Sequence, residues 1–202
     1  MQECYVQLPS EEISMKKIYL IRHCKATGQE PDSQLTAEGI AQSNQLSRFL
    51  DNKPIDYIVS SPYLRAVDTI NPFAKNKNLT IHIEGRLSER VLSSENLSDW
   101  ISLLSESYDD LDKKLPGGES SREAMQRGVS VIQEQLNSSY QSIVVVTHGN
   151  LLSLIIKHYD KQFGFEEWKR LSNPDIYTMT ILESGIELNR IWESFDEVGN
   201  GT

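Results

Sequence analysis

Two apolar, β-branched runs in this chain each stop at a histidine. The first, Lys17 to Ile21, runs straight into Arg22-His23, and the second, Ser142 to Val146, breaks at Thr147-His148-Gly149-Asn150. Runs this short and this apolar read as strands buried on both faces, which is how parallel strands are used. Helical signals lie between them. Thr36 can cap a helix from about 37 to 50. Ile55 to Val59 reads as a second strand, and Ser60-Ser61-Pro62 starts a helix with proline in its first turn. Pro72 should end or kink that helix.

Leu79 to Ile83 reads as a third strand, and a helix is expected near Ser98–Tyr108. Otherwise 84–118 is irregular, closing on the Leu115-Pro116-Gly117-Gly118 turn. Ser120 and Glu123 have capping-box spacing, with a helix expected to about Leu136. A further helix should follow His148 to about Tyr159. Two strands near 176–183 and 186–192, joined at Glu183-Ser184-Gly185, suggest a hairpin. Strands alternating with helices imply an α/β fold: a three-layer sandwich with a mostly parallel mixed sheet and helices on both faces. Ligands in such sheets bind beyond the carboxyl ends of the strands, which is where His23, His148 and Arg65 fall.

The chain has 202 residues, enough for about one domain with a sizeable core. Residues 1–14 read as a tail, 15–195 as a single domain and 196–202 as a second tail, and Met15 is a second candidate start. The only cysteines are Cys4 and Cys24, too few for a disulfide framework, so a reducing, cytoplasmic setting is the default. A net charge of −9 argues against nucleic acid as a partner but not against a local cationic pocket. No run approaches the eighteen or so apolar residues of a membrane span, so no membrane partner is expected.

Arg22, His23, Arg65, Glu89 and His148 together suit phosphoryl transfer. Arginine forks match phosphate oxygens bidentately. A neutral imidazole is a competent nucleophile near pH 7, and a carboxyl group can protonate a leaving oxygen and then activate water. A second imidazole at a helix start can donate to a phosphoryl oxygen. The set needs no metal and no cofactor.

Six ordered motifs carry a resemblance. They are Leu20-Ile21-Arg22-His23, Leu35-Thr36-x-x-Gly39, Ser60-Ser61-Pro62-x-x-Arg65-Ala66-x-x-Thr69, Leu87-x-Glu89-Arg90, Pro116-Gly117-Gly118-Glu119-Ser120 and Val146-Thr147-His148-Gly149. From about Lys17 to Trp192 the chain resembles the histidine phosphatase (phosphoglycerate mutase-like) superfamily. The resemblance implies that His23 is the phosphorylated nucleophile. It makes Arg22, Arg65 and His148 the phosphate clamp and Glu89 the proton donor.

The activity so implied is metal-independent hydrolysis of a small phosphorylated metabolite through a phosphohistidine. The alternatives are a mutase that moves phosphate between hydroxyls and a non-catalytic phospho-ligand-binding module. The stretch from Glu89 to His148 is shorter than in the glycolytic mutases, and their paired basic residues are not evident, which favours hydrolysis.

Cys24 stands where the family usually has glycine, and Gln29 where many members place a phosphate-contacting asparagine. Gln29 can substitute for it as a substrate contact. Lys25 either lines the pocket mouth or is solvated. Arg90 either pairs with a carboxylate or reaches the substrate, and Arg86 is expected to pair. Trp100, Trp168 and Trp192 are expected to be packing residues. Positive charge near Cys24 should lower its thiol pKa and make activity sensitive to oxidants.

Overall fold

The strand Ser142–Thr147 (β4) is buried at every position. In the computed structural model, which describes residues 15–192, it lies inside a six-stranded sheet. The other strands are Lys17–Arg22 (β1), Tyr57–Ser60 (β2), Ile81–Ile83 (β3), Asp175–Leu182 (β5) and Gly185–Arg190 (β6). Their order is β3-β2-β4-β1-β5-β6. β4 pairs in parallel with β1 on one side and β2 on the other, β3 extends the parallel part, and β5 and β6 add an antiparallel hairpin. The tails at 1–14 and 196–202 lie outside the described residues.

The two-residue period of the central strands divides the core. Ile18, Leu20, Ile143 and Val145 face the helices Ser121–Asn137 (α4) and Gly149–Tyr159 (α5), meeting Val129, Ile132, Leu151 and Ile155. Tyr19, Ile21, Val144 and Val146 face the helices Ala37–Leu50 (α1) and Leu64–Lys77 (α2), meeting Leu46, Leu50, Ile70 and Phe73. This is the three-layer sandwich expected. A helix at Trp100–Asp109 (α3) and a short one at Phe165–Lys169 (α6) pack against each other, α6 being unforeseen in the sequence.

The caps act as local chemistry dictates. Thr36 accepts from the Gly39 N–H at 3.0 Å, and Ser120 and Glu123 form both halves of a capping box. Gly39 also allows a close approach, because a Cβ there would sit 2.0 Å from the Lys25 carbonyl oxygen.

Two expectations fail on α2. It begins at Leu64, after Pro62, with Tyr63 as an N-cap that makes no side-chain bond. It also continues past Pro72 to Lys77. Proline removes one backbone bond, but Phe73 and Ala74, just beyond it, are buried in the core and carry the helix on.

Candidate active site

Three adjacent parallel strands end at one edge of the sheet, and each delivers part of the site. The His23 N–H, just past β1, bonds the Thr147 carbonyl at 3.0 Å, and the Ser61 N–H, just past β2, bonds the Val146 carbonyl at 2.9 Å. His148, just past β4, is the N-cap of α5.

His23 is 7% exposed. Its Nδ1 lies 2.7 Å from the Cys24 carbonyl oxygen, and Arg65 Nε donates to its Nε2 at 3.2 Å. A carbonyl only accepts, so Nδ1 carries the ring proton and Nε2 keeps a lone pair. Burial, reinforced by the Arg65 and Arg22 charges, pulls its pKa down to about 3. The ring is therefore neutral and nucleophilic. Asn173 Nδ2 donates to the His23 carbonyl at 2.7 Å and steadies the backbone.

Arg65 is wholly buried. Its Nη1 donates to the Gln29 and Glu30 carbonyls at 3.0 and 2.8 Å, and its guanidinium lies 4.8 Å over the Tyr63 ring. Arg22 Nη1 donates to the Leu171 and Ser172 carbonyls at 2.9 and 3.3 Å. Gly149 lets this guanidinium lie against the start of α5, since a Cβ there would meet Arg22 Cζ and Nε at 3.0 Å.

The His148 ring stands edge-on to that of His23, with 5.1 Å between centroids. Its Nε2 is 2.7 Å from Ser61 Oγ, which also accepts the Tyr63 N–H at 3.3 Å. The arrangement that uses the hydroxyl proton has Ser61 donating to Nε2, which leaves Nδ1 as the protonated nitrogen. Burial, with the charges of His23 and the arginines, holds the His148 pKa well below its ordinary value.

Among the described residues, four buried side-chain polar atoms lack a hydrogen-bond partner. Three of them are Arg22 Nε, Arg65 Nη2 and His148 Nδ1, all donors gathered about His23. Each unsatisfied donor costs about 1–3 kcal/mol, so such a cluster is retained for a group that brings acceptors. A tetrahedral or trigonal oxyanion supplies them.

Glu89 approaches from the other side. Its Oε1 accepts the Arg90 and Leu151 N–H groups at 2.8 and 3.0 Å, and its Oε2 accepts the Asn150 N–H at 3.1 Å. The carboxylate thus caps the positive end of α5. Its charge acts on both Arg22 and Arg65. The structure therefore brings Arg22, His23, Arg65, Glu89 and His148 together.

A cavity of about 640 Å³ opens over Arg22, Glu89 and Gly149, and Gln29 is part of its lining. The other two proposed substrate contacts are engaged by other groups. Lys25 pairs with Glu38 in an exposed bridge and faces a separate hollow with Gln42 and Gln45. Arg90 lines the cavity, but its guanidinium is committed. Nε and Nη2 donate to the Glu119 carbonyl, both at 3.1 Å, and Nη1 donates to the Ser107 and Ser121 hydroxyls at 2.9 and 2.8 Å. It ties α3 to the start of α4. Arg86 pairs with Glu84 and Glu134, as expected.

Cys24 corrects the sequence reading. Its side chain is fully buried, burial pushes the thiol up to about 12, and its N–H donates to Thr69 Oγ1 at 2.8 Å. The added side chain points into the protein, and desolvation outweighs the neighbouring positive charge. Of the tryptophans, Trp192 packs against Phe49 and Trp168 against Phe165 and the core, as expected, while Trp168 and the 45% exposed Trp100 also line the cavity.

The sequence reading also missed partners. Ser61, Tyr63, Asn150 and Asn173 shape the site without belonging to any titratable pattern. Ser61 and Tyr63 lie inside a quoted motif, but Ser61 looked like the start of a helix. Among the described residues, no group of three or more His, Cys, Asp or Glu is placed to hold a metal ion, and no helix is long and apolar enough to cross a membrane.

Comparison with known proteins bears on the fold and the family. Residues 18–193 match the family model of the histidine phosphatase superfamily, branch 1. A protein of Hydrogenobacter thermophilus, provisionally named phosphoserine phosphatase 2, is 29% identical over 158 residues, covering 70% of this chain and 77% of the relative. A mycobacterial glucosyl-3-phosphoglycerate phosphatase superposes with a TM-score of 0.72 at 20% identity, over 89% of this chain and 99% of that one. A phosphoserine phosphatase of Entamoeba histolytica, solved as a mutant with phosphoserine, gives 0.69 at 22%, over 86% and 94%. At these identities the structural likenesses speak for the fold. The family model spans nearly all the described residues, and the chain belongs to the histidine phosphatase superfamily.

Proposed function

We propose that this chain is a phosphatase that hydrolyses the phosphomonoester of a small metabolite through a phosphohistidine at His23. One observation carries the reading: a neutral His23 whose unprotonated Nε2 accepts only from Arg65 Nε, in a site where Arg22 Nε, Arg65 Nη2 and His148 Nδ1 are buried without partners.

His23 Nε2 attacks phosphorus in line, forming an N–P bond as the P–O bond to the leaving alcohol breaks. Arg65 Nε exchanges its contact with Nε2 for a phosphoryl oxygen, and Arg22 Nε, Arg65 Nη2 and His148 Nδ1 take the other developing charges. The phosphomonoester enters as a monoanion, and Glu89 passes its phosphoryl proton on to the departing oxygen. It then removes a proton from a water that attacks phosphorus, breaking the N–P bond and releasing phosphate. Little covalent work falls to the protein beyond the nucleophile, so positioning and fixed charge carry the rate. The relatives named as phosphatases support hydrolysis as the reaction class.

The test is hydrolysis of p-nitrophenyl phosphate, with EDTA present, by wild type and His23→Ala. Turnover that survives EDTA and is lost in the variant, with acid-labile phosphate trapped on the wild-type protein, is the expected result. Equal turnover in both proteins would remove His23 as the nucleophile.

A further inference from the structure

The cavity over the site is two-sided. Its inner end carries Arg22 and Glu89, whereas Val91, Leu92, Trp100, Leu104 and Trp168 form much of its outer wall. The Trp100 and Trp168 rings meet edge to face at 6.5 Å, and Trp168 is stacked on Phe165 at 5.4 Å, so this wall is backed by a further aromatic layer. Val91 and Trp100 each stand 45% exposed. That is apolar surface a leaving group can cover.

Charge points the same way. Among the described residues, the only cations lining this cavity are Arg22 and Arg90. Arg22 belongs to the phosphate end, and the Arg90 guanidinium is held by Glu119, Ser107 and Ser121. Glu30, also in the lining, adds negative charge. Among the described residues a leaving group carrying a carboxylate or a second phosphate meets no uncommitted cation in this lining, and burying an unpaired charge against indole is costly.

Resting on the phosphatase reading, we infer that the preferred substrate is the phosphomonoester of an uncharged alcohol with an aromatic or otherwise flat apolar body, which packs against Trp100 and Trp168. Phosphorylated amino acids and phosphorylated hydroxy acids are disfavoured. Trp100 and Trp168 set specificity and take no part in the chemistry.

The test compares alkyl monoesters, so that leaving-group reactivity does not decide the ranking. Wild type is assayed with 2-phenylethyl phosphate, methyl phosphate, O-phosphoserine, 3-phosphoglycerate and glucose 6-phosphate. The expected kcat/KM for 2-phenylethyl phosphate exceeds each of the others by about tenfold or more, the value of one good apolar contact. In Trp168→Ala and Trp100→Ala the ratio of 2-phenylethyl to methyl phosphate falls about tenfold, chiefly through KM, and Trp168→Phe restores most of it. The ratio is internal to each variant, so partial loss of folded protein does not disturb it.

Faster turnover of phosphoserine, 3-phosphoglycerate or glucose 6-phosphate would overturn the inference and leave the phosphatase reading standing. An unchanged ratio in both alanine variants would do the same. No turnover of any monoester, with no phosphate trapped on His23, would overturn both.

Discussion

The Ser61 hydroxyl lies 2.7 Å from Nε2 of His148, and by donating there it leaves the proton on Nδ1, a buried nitrogen that has no partner of its own. A residue with no chemistry of its own thus sets which imidazole nitrogen carries the proton. Ser61→Ala removes that control and leaves a buried ring nitrogen unpaired. The expected result is a loss of about 1–2 kcal/mol in stability and about tenfold in kcat. Nitrogen NMR of His148 checks the cause: the wild-type ring shows one neutral tautomer protonated on Nδ1, and the variant a mixture.

Glu89 is fixed by three backbone N–H groups, so its effect should be chemical rather than structural. Glu89→Gln is expected to lower kcat/KM for an alkyl phosphate by about 10²–10⁴. The loss with p-nitrophenyl phosphate should be much smaller, because nitrophenolate leaves without a proton. Equal losses for both esters would show that Glu89 does not protonate the leaving group.

His23 gives a signed pH effect on stability. Its pKa lies near 3 in the folded protein, against an ordinary value of about 6.5. Below about pH 6.5 the unfolded chain binds a proton that the folded chain refuses, so this contribution weakens folding as pH falls from 6.5 towards 3. At pH 5 it amounts to about 2 kcal/mol. Urea titrations of wild type and His23→Asn should show the variant losing less stability between pH 7.5 and pH 5, by about that amount.

Cys24 is expected to be inert while the protein is folded. Its thiol is fully buried and pushed up to about 12. Iodoacetamide at pH 8, followed by peptide mapping, should leave Cys24 unlabelled in native protein and label it in urea. Peroxide should inactivate wild type and Cys24→Ser at the same rate. Faster loss in wild type would restore the sequence-based expectation of an oxidant-sensitive thiol.

Arg90 is a structural tie, buried with its donors spent on Glu119, Ser107 and Ser121. Arg90→Ala leaves those acceptors and the space unfilled, and is expected to cost about 3 kcal/mol or more. Thermal unfolding measures this. If Arg90 instead held substrate charge, the variant would keep its stability and raise KM for charged substrates alone.

The alternation of strands and helices, the capping box at Ser120, and the placing of His23, His148 and Arg65 at one sheet edge were legible because they rest on local periodicity and handed connections. The proposed catalytic set was legible because its motifs follow one another in order. Burial and partner choice were not, since they depend on what a distant segment brings alongside. Ser61 is claimed by His148, 87 residues away, rather than by the helix it precedes.

Arg90 stands beside Glu89 in the sequence, yet its guanidinium is spent on α3 and α4. Cys24 follows two cationic or nucleophilic residues, yet its side chain turns into the protein, where desolvation raises its pKa. Trp100 and Trp168 are 68 residues apart and become one wall only when α3 packs on α6. The residues of the proposed chemistry were therefore written in the chain. Which neighbours are free to serve them was decided by packing, because a side chain's charge and hydrogen bonds go to whatever group the fold sets within reach.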